Sequence, residues 1–302
     1  RTTGKLHLGH YVGSLQNRVK LQNQYDTFIL LADIQALTTH FENPSLIRSS
    51  IYDVAIDNLS VGLDPSNVTF VQQSAITSIA ELTEIYSLLV TVNTLRHNPT
   101  IKTEAENYGY DDLTIGFLGY PVSQTADITF CNADLVPVGE DQRPHIELAR
   151  KIVRRFNDLY GETLNEPDIL LSDCPRLAGL DGNAKMGKSL GNAVYLSDDK
   201  ATVEQKVRGA VTDPGRVRAT DPGNPDKCPV WPLHKIYSSE DTRRWVVTGC
   251  TTAGIGCLEC KQPVIDGIIA EQAPIIERAQ KFLDDPQLVR AIVADGCDRA
   301  RK

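Results

Sequence analysis

The sequence predicts an α/β protein in which a Rossmann-like, doubly wound parallel sheet precedes a C-terminal α-helical domain. Three observations lead to this prediction: short continuous apolar runs, amphipathic stretches between them, and a change of composition after about residue 210. Short apolar runs bounded by turn residues are typical of strands buried on both faces of a parallel sheet. Their alternation with amphipathic stretches predicts helices that cover both faces.

The strands and helices of the first half can be assigned in order. We expect buried strands at the apolar runs 27–32, 68–71 and 134–138. The amphipathic stretches predict helices at 11–24, 44–61, 80–94 and 144–160. Pro144 falls in the first turn of the last of these, where proline is tolerated.

The second half has a different pattern. Residues 212–232 are rich in Asp, Pro and Gly, which predicts a loop or a domain junction. From Leu233 onward only helical patterns follow. We therefore expect two domains, residues 1–190 and residues 191–302, with a boundary near 189–201.

Composition restricts the class of protein. The chain has 302 residues, a net charge of −8 and 41% hydrophobic residues, which is ordinary for a globular protein. No apolar run approaches the roughly 18 residues of a membrane span, so we expect no membrane contact. No secretory signal is visible, and we expect a cytoplasmic location. The acidic total argues against a general nucleic-acid coat but leaves room for a local basic face.

The first candidate site is the segment Thr3 to His10, TGKLHLGH, which runs into a predicted helix. Free N–H groups at a helix start can hold phosphate. His7 and His10 would share one helical face and donate to phosphate oxygens, and Gly9 would let a base or ribose approach the backbone. Taken alone, a loop with two surface histidines explains the segment equally well.

The second candidate site is the segment 185–189, KMGKS. Lys185 and Lys188 are flexible point charges suited to a triphosphate, and Gly187 permits close approach of the backbone. Taken alone, a solvated basic loop is the better interpretation.

Together the two segments resemble the signatures of class I aminoacyl-tRNA synthetases. The stretches between them, YPVSQTADI at 120–128, VPVGEDQ at 136–142 and HIEL at 145–148, resemble tryptophanyl-tRNA synthetases. The resemblance covers almost the whole chain in the same order. It implies that L-tryptophan is activated with ATP and Mg²⁺ and transferred to tRNA(Trp) by a homodimer. Two alternatives stay open: a non-catalytic paralogue that binds tRNA or a partner protein, and a tyrosyl-tRNA synthetase.

The resemblance also implies roles for individual residues. Catalysis by position and charge falls to Thr3, His7, His10, Lys185, Lys188 and Ser189. ATP would be held by Arg1, Thr2, Thr3, Gly9, His10, Gly139, Glu140, Asp141, Leu177, Lys185, Met186, Gly187, Lys188 and Ser189. Tryptophan would be held by Gln35, Tyr120, Gln124, Asp127, Val138, Gly139 and Gln142. Within this set Asp127 accepts from the indole N–H, which is a donor only, so a fixed carboxylate complements it.

Several residues depart from the family pattern, among them His10, which replaces an asparagine, and Thr2, which replaces a proline. Gln124 stands where bacterial members often have methionine, Gln35 where they have histidine, and Gly187 where they have serine. We expect a more flexible 185–189 loop and one phosphate hydrogen bond fewer.

Seven cysteines are present, and four lie together with the spacing C-x21-C-x6-C-x2-C: Cys228, Cys250, Cys257 and Cys260. Four thiolates suit either zinc or an iron–sulfur cluster. The spacing is similar to a motif that holds a [4Fe–4S] cluster in some tryptophanyl-tRNA synthetases, which favours the cluster. Zn²⁺, unliganded core cysteines and disulfides remain alternatives. We expect the other three cysteines to be buried in the core.

Basic side chains near these cysteines suggest where tRNA phosphates could bind. They are Lys227, Lys235, Arg243, Arg244 and Lys261. For any one of them, a solvated helix face is the simpler explanation.

Overall fold

Helices and parallel strands alternate in the first half of the chain, as predicted. The structure, a computed structural model, describes residues 1–171, 177–183 and 185–302, except for the side chains of Asp141 and Ser189. The elements of this half are α1 (Leu8–His10), α2 (Gln16–Leu21), β1 (Thr27–Leu31), α3 (Asp33–His40), α4 (Pro44–Ser60), β2 (Val68–Gln72), α5 (Thr77–Ser87), α6 (Val92–Arg96), α7 (Pro99–Tyr108), α8 (Ile115–Thr129), β3 (Leu135–Val138), α9 (Arg143–Tyr160) and β4 (Asp168–Leu171). A π-helical turn, Tyr11–Leu15, joins α1 to α2.

The strands pair in parallel, which confirms the α/β class. β1 pairs with β2 from Thr27↔Val68 to Leu31↔Gln72. β3 pairs with β4 from Leu135↔Asp168 to Val138↔Leu171. Among the described residues the strands thus form two parallel pairs, where we expected one continuous sheet. β4 went unpredicted because its apolar run is short and both of its ends are exposed.

Most predicted helices of this half are confirmed, and one is wrong. The stretches 44–61 and 144–160 form α4 and α9 with bounds within a residue of the prediction. The stretch 80–94 is two helices, because α5 ends at Ser87 and α6 begins at Val92. The side chain of Thr91 accepts from Thr94 N and so caps a new helix start. Hydrophobic periodicity continues through this break and conceals it.

From Leu233 onward every described regular element is a helix, as predicted. The second half contains α10 (Lys200–Arg208), α11 (Trp231–Tyr237), α12 (Glu240–Thr251), α13 (Cys257–Asp284) and α14 (Pro286–Ala300). None of the helices in the described ranges is long and apolar enough to cross a bilayer.

The C-terminal helices pack directly onto the first half. α13 lies against α4, and α14 lies against β2. One hydrophobic cluster contains Leu59 and Phe70 of the first half together with Ile268 and Val293 of the second. The two halves therefore share a core, and the domain boundary near residue 190 stays a prediction.

The contact between α14 and β2 is close enough to require glycine. A Cβ built on Gly296 would lie 2.0 Å from the carbonyl oxygen of Phe70. We expect Gly296→Ala to lower the free energy of unfolding by about 3 kcal/mol or more, since backbone on both sides must move. Urea unfolding followed by circular dichroism measures this change.

Gly119 in α8 provides the matched control. A Cβ there would meet nothing within 4 Å. Gly119→Ala should therefore leave stability unchanged or raise it by about 0.5–1 kcal/mol. Equal unfolding midpoints for the two variants would contradict the close packing of α14 on β2.

Candidate active site

The two glycine- and lysine-containing segments lie side by side in the fold. Leu8 N donates to the carbonyl oxygen of Val194 over 2.9 Å, and Leu196 N donates to that of Leu6 over 3.0 Å. These bonds join the chain just after residues 185–189 to the chain around His7. Across this junction, Lys188 Nζ donates to the carbonyl oxygen of Gly4 over 2.5 Å. The fold therefore brings together two sites that are far apart in sequence.

The histidines of the first segment cap the short helix α1. Nδ1 of His7 accepts from Gly9 N over 3.1 Å, and Nδ1 of His10 accepts from His7 N over 3.2 Å. A Cβ on Gly9 would lie 2.9 Å from the His7 ring, so only glycine fits there. We expected free N–H groups at this helix start, and the Gly9 N–H instead bonds to His7.

Both rings are neutral near pH 7. Burial, with the nearby charges of Lys188 and Lys185, lowers the pKa of His7 to about 4. Burial, with His7 and Lys188, lowers the pKa of His10 to about 2. Because Nδ1 accepts a backbone N–H in each ring, the proton lies on Nε2. Each histidine can thus offer one Nε2–H donor to a phosphate oxygen.

Asn192 organises the 185–189 loop. Its Oδ1 accepts from Gly187 N over 2.8 Å, and its Nδ2 donates to the carbonyl oxygen of Lys185 over 3.2 Å. Met186 is buried, and its N–H donates to the carbonyl oxygen of Leu177 over 2.9 Å. The loop therefore presents the exposed Lys185 and the half-buried Lys188, and it has Leu177 beside it. The side chain of Ser189 lies outside the described part of the chain.

Asp57 on α4 supports the same region. Its Oδ2 accepts from Leu6 N over 2.6 Å, and burial raises the pKa of Asp57 to about 6. Burial lowers the pKa of Lys188 to about 8, and the carboxylates of Asp57 and Asp53 oppose that shift. Asp57 thus helps Lys188 to keep its charge near neutral pH.

The predicted tryptophan residues of α8 lie near one another on the helix. Asp127 Oδ1 accepts from Gln73 Nε2 over 2.7 Å, and burial raises the pKa of Asp127 to about 7. The hydroxyl of Tyr120 is 2.8 Å from His145 Nε2. Buried Oε1 of Gln124 finds no hydrogen-bond partner among the described residues. An unpaired buried acceptor is unfavourable by about 1–3 kcal/mol, so it would gain from a ligand that donates.

The start of the chain borders this pocket. The Arg1 guanidinium lies 4.9 Å from the centre of the Tyr120 ring and forms an ion pair of 3.0 Å with Glu104. Thr2 is buried, and its Oγ1 has no partner within the described ranges. Arg1 is therefore engaged with the side chains around Tyr120, where we expected a phosphate contact. Thr3 is half-buried.

The remaining predicted residues lie at the end of β3 and directly after it. Val138 packs with Ile146 of α9 in a small second cluster. Gly139 is followed by a 3₁₀ turn, Glu140–Gln142, in which Gln142 N donates to Gly139 O over 3.0 Å. The exposed Glu140 pairs with Arg143 at 3.3 Å. The side chain of Asp141 lies outside the described part of the chain.

With this geometry established, the chain can be compared with known proteins. A family profile described as "tRNA synthetases class I (W and Y)" matches residues 1–270. The chain belongs to this family. It is 45% identical over 373 aligned positions to a protein of Ralstonia nicotianae named tryptophan–tRNA ligase, covering 100% of this chain and 93% of the relative. It is also 45% identical, over 305 positions, to the protein of that name from Thermotoga maritima, with the same coverage.

Solved structures agree with the class I synthetase fold. Tryptophanyl-tRNA synthetase from Campylobacter jejuni, complexed with ADP and tryptophan, superposes with a TM-score of 0.86 at 26% identity. The match covers 99% of this chain and 92% of that one. The predicted fold, parallel strands followed by a large helical region, is therefore confirmed for this synthetase.

Three residues of this synthetase site were not predicted: Gln73, Asp57 and Asn192. All three are buried polar side chains that bond to a predicted residue or its loop. Gln73 directly follows an apolar strand, and the ends of parallel strands are where ligands bind in α/β folds. That signal could have identified Gln73, whereas Asp57 and Asn192 have no comparable local pattern.

The four clustered cysteines of the synthetase line one small cavity, together with Arg216 and Lys261. Cys228 precedes α11, Cys250 lies in α12, and Cys257 and Cys260 lie in the first turn of α13. All four thiols are free. Among the described residues, no group of three His, Cys, Asp or Glu side chains is arranged around a metal-ion position.

The other three cysteines differ in position. Cys297 is buried as expected, Cys131 is only half-buried, and Cys174 lies outside the described residues.

The predicted basic face near the cysteines is smaller than expected. Lys261 is buried, and its Nζ donates to the carbonyl oxygens of Arg208 and Ala210 over 2.7 and 2.5 Å. Arg244 pairs with both Glu240 and Asp241. Lys261 therefore cannot contact phosphates, and Arg244 is engaged in exposed ion pairs within its own helix. Lys227, Lys235 and Arg243 remain as candidates.

Proposed function

We propose that this synthetase is a tryptophan–tRNA ligase, which joins L-tryptophan to tRNA(Trp) at the expense of ATP. The relatives at 45% identity carry this name. The observation that carries the assignment is the half-buried Asp127 carboxylate on α8, which accepts a hydrogen bond from Gln73 on one oxygen. A carboxylate complements an indole N–H, which can only donate.

The reaction needs no protein nucleophile, because the tryptophan carboxylate is already ionised at neutral pH. One of its oxygens attacks the α-phosphate of ATP, the bond from that phosphorus to the β-phosphate bridge breaks, and pyrophosphate leaves. The terminal ribose hydroxyl of the tRNA then attacks the carbonyl carbon of the adenylate, and AMP leaves. Mg²⁺ bound with ATP would share the negative charge of the phosphates.

The residues of this chain act by position and charge. His7 and His10 offer neutral Nε2–H donors to the phosphates, as described above. Lys188, which lies against the Gly4 carbonyl, and the exposed Lys185 supply positive charge where the leaving pyrophosphate becomes more negative. Tyr120, Gln124 and Asp127 orient the amino acid.

Amino-acid-dependent pyrophosphate exchange tests the proposal. The purified protein should exchange labelled pyrophosphate into ATP with tryptophan, and not with tyrosine. Exchange with tyrosine alone would indicate the tyrosyl alternative. No exchange with either, in a protein that still binds tRNA, would indicate a non-catalytic paralogue.

We also propose that the active form is a homodimer. Exposed apolar side chains lie on α3 and at the end of α5, and both helices pack against α8. They are Ile34, Leu37, Phe41, Ile85 and Leu88. Exposed apolar side chains that gather into a large patch are typical of protein interfaces. Sedimentation velocity at micromolar concentration should give a dimer, and a monomer would refute this.

For the rest of the chain, we propose that residues 191–302 bind the anticodon part of tRNA(Trp) in the cytoplasm, where charged tRNA is consumed. Lys227, Lys235 and Arg243 are the basic side chains left for phosphate contacts. Only a few such contacts are expected, so the salt dependence of binding should be shallow.

We further propose that Cys228, Cys250, Cys257 and Cys260 hold a [4Fe–4S] cluster, with Zn²⁺ as the alternative. The four free thiols that line one cavity match the four cysteine ligands such a cluster requires. The group would tie α11, α12 and the start of α13 together, and it takes no part in the activation step.

Anaerobic purification tests the cluster. We expect a brown protein with about four irons per chain. Cys257→Ser should lose iron and colour, whereas the control Cys131→Ser, outside the cavity, should keep both. A colourless protein with one zinc ion per chain would reject the cluster and support the alternative.

A further inference from the structure

Gln73 is a fully buried glutamine that no predicted site included. It opens a 3₁₀ turn, Gln73–Ala75, directly after β2. Both ends of its side-chain amide form hydrogen bonds. Nε2 donates to Asp127 Oδ1 over 2.7 Å, and Oε1 accepts from the backbone N–H of Gln35 over 2.9 Å. One side chain thus links two of the residues predicted to hold tryptophan.

These bonds leave the amide a single orientation. The backbone N–H of Gln35 can only donate, so the oxygen of Gln73 must face it, and the NH₂ group must face Asp127. The turn that carries Gln73 is itself held. Asp33 Oδ1 accepts from Ser74 N over 2.9 Å, and Asp33 Oδ2 accepts from Ser74 Oγ over 2.5 Å. The donor aimed at Asp127 is therefore rigid.

The hydrogen bond from Gln73 distinguishes the two carboxylate oxygens of Asp127. Asp127 Oδ1 already accepts from Gln73, so Oδ2 is the oxygen presented to a ligand. We propose that Gln73 is a positioning residue for specificity: it holds the Asp127 carboxylate in the orientation that accepts the indole N–H of tryptophan. This inference rests on the proposed function.

The variant Gln73→Leu keeps the approximate volume of the side chain and removes both hydrogen bonds. We expect the KM for tryptophan to rise about 10-fold or more, since the Asp127 carboxylate loses the hydrogen bond that orients it. The KM for ATP and kcat should stay near their wild-type values, because His7, Lys188 and the nucleotide segments are not touched. The Kd for tryptophan from calorimetry should rise with the KM.

A second readout separates positioning from a general loosening of the fold. The benzothiophene analogue of tryptophan has nearly the same shape but lacks the N–H. Wild-type enzyme should prefer tryptophan to this analogue by roughly 10-fold or more. In Gln73→Leu that preference should shrink, because Asp127 no longer points at the N–H. A merely structural change would weaken both ligands equally.

Gln72→Leu is the matched control. Gln72 precedes Gln73 in the chain, and its Nε2 donates to Asp33 and Ser74 rather than to Asp127. Ser74 still holds Asp33 when Gln72 is replaced. We expect tryptophan KM and the preference over the analogue to be unchanged in this variant.

The variant Gln73→Glu adds a test through pH. Asp33 is the charged side chain that acts on Asp127, and Gln73→Glu adds a second carboxyl beside Asp127. At low pH the carboxyl of Glu at position 73 is neutral and can still donate to Asp127. The KM for tryptophan should therefore be near that of the wild type at the same pH. At higher pH both groups ionise and repel, so KM for tryptophan should rise with pH. In the wild type, KM should fall over the same range.

Two results would overturn the proposal: wild-type tryptophan Kd and analogue preference in Gln73→Leu, or the wild-type pH slope in Gln73→Glu. If the proposed function itself is wrong, the result differs from both of these. In that case the unmodified enzyme itself shows no tryptophan-dependent exchange and no tryptophan binding.

Discussion

Replacing Lys188 with alanine should lower the rate of tryptophan-dependent pyrophosphate exchange by about 100-fold or more, as loss of a preorganised charge at a transition state commonly does. The KM for tryptophan should not change. Lys188 Nζ lies 2.5 Å from the Gly4 carbonyl oxygen, where the segment around His7 meets residues 185–189. In the proposed mechanism, the variant removes positive charge where pyrophosphate leaves and keeps the α8 side chains that we propose to hold tryptophan.

The role of Lys188 also predicts a pH dependence. Burial lowers the pKa of its ammonium to about 8. Lys188 is charged below that pH and loses its proton above it, so the exchange rate should fall as pH rises through about 8 in the wild type. Lys188→Ala should lack this fall. The exposed Lys20→Ala on α2 serves as control and should retain both the rate and the profile. An unchanged exchange rate in Lys188→Ala would refute the assignment.

Replacing Asp127 with alanine should raise the KM for tryptophan by roughly 10-fold or more, since a hydrogen bond to a charged group is lost. Rejection of phenylalanine should also relax. In the wild type, phenylalanine leaves Oδ2 of this carboxylate without a hydrogen-bond donor, and that penalty gives the discrimination. Without the carboxylate, the penalty disappears. The ratio of kcat/KM for the two amino acids measures the effect.

The pH profile of tryptophan binding gives an independent check on Asp127. Burial raises the pKa of this carboxyl to about 7, against the opposing hydrogen bond from Gln73. The ionised form, which accepts better, gains population as pH rises through about 7. The KM for tryptophan should therefore fall between pH 6 and pH 8 in the wild type and stay flat in Asp127→Ala. Equal selectivity and equal profiles in the two proteins would contradict the role.

Local patterns predicted several elements well and failed in identifiable ways. Strand β1 and helices α4 and α9 follow directly from apolar runs and amphipathic periodicity. The break between α5 and α6 was missed because one capping side chain, Thr91, outweighs a continuing periodicity. β4 was missed because its exposed ends weaken the apolar signal.

The candidate site likewise contains residues that the sequence predicts and residues that it does not. The segments around His7 and Lys188 could be found from the sequence, since glycine, lysine and histidine at close spacing have recognisable chemistry. Their partners could not. Asp57 and Gln73 meet the site through contacts 51 and 54 residues away along the chain. The sequence suggests a surface position for Lys261. Only the folded structure shows that its ammonium is buried and donates to two backbone carbonyl oxygens.

The sequence by itself determined the α/β class, both candidate nucleotide-binding segments, the candidate tryptophan residues on α8 and the grouping of four cysteines. These depend on residue type and spacing, which act over a few turns of chain. The tertiary structure decided which oxygen of Asp127 is taken, which histidine nitrogens carry protons, and which lysines keep their charge. Those properties depend on burial and on hydrogen-bond partners from distant segments, and only the folded chain brings such groups together.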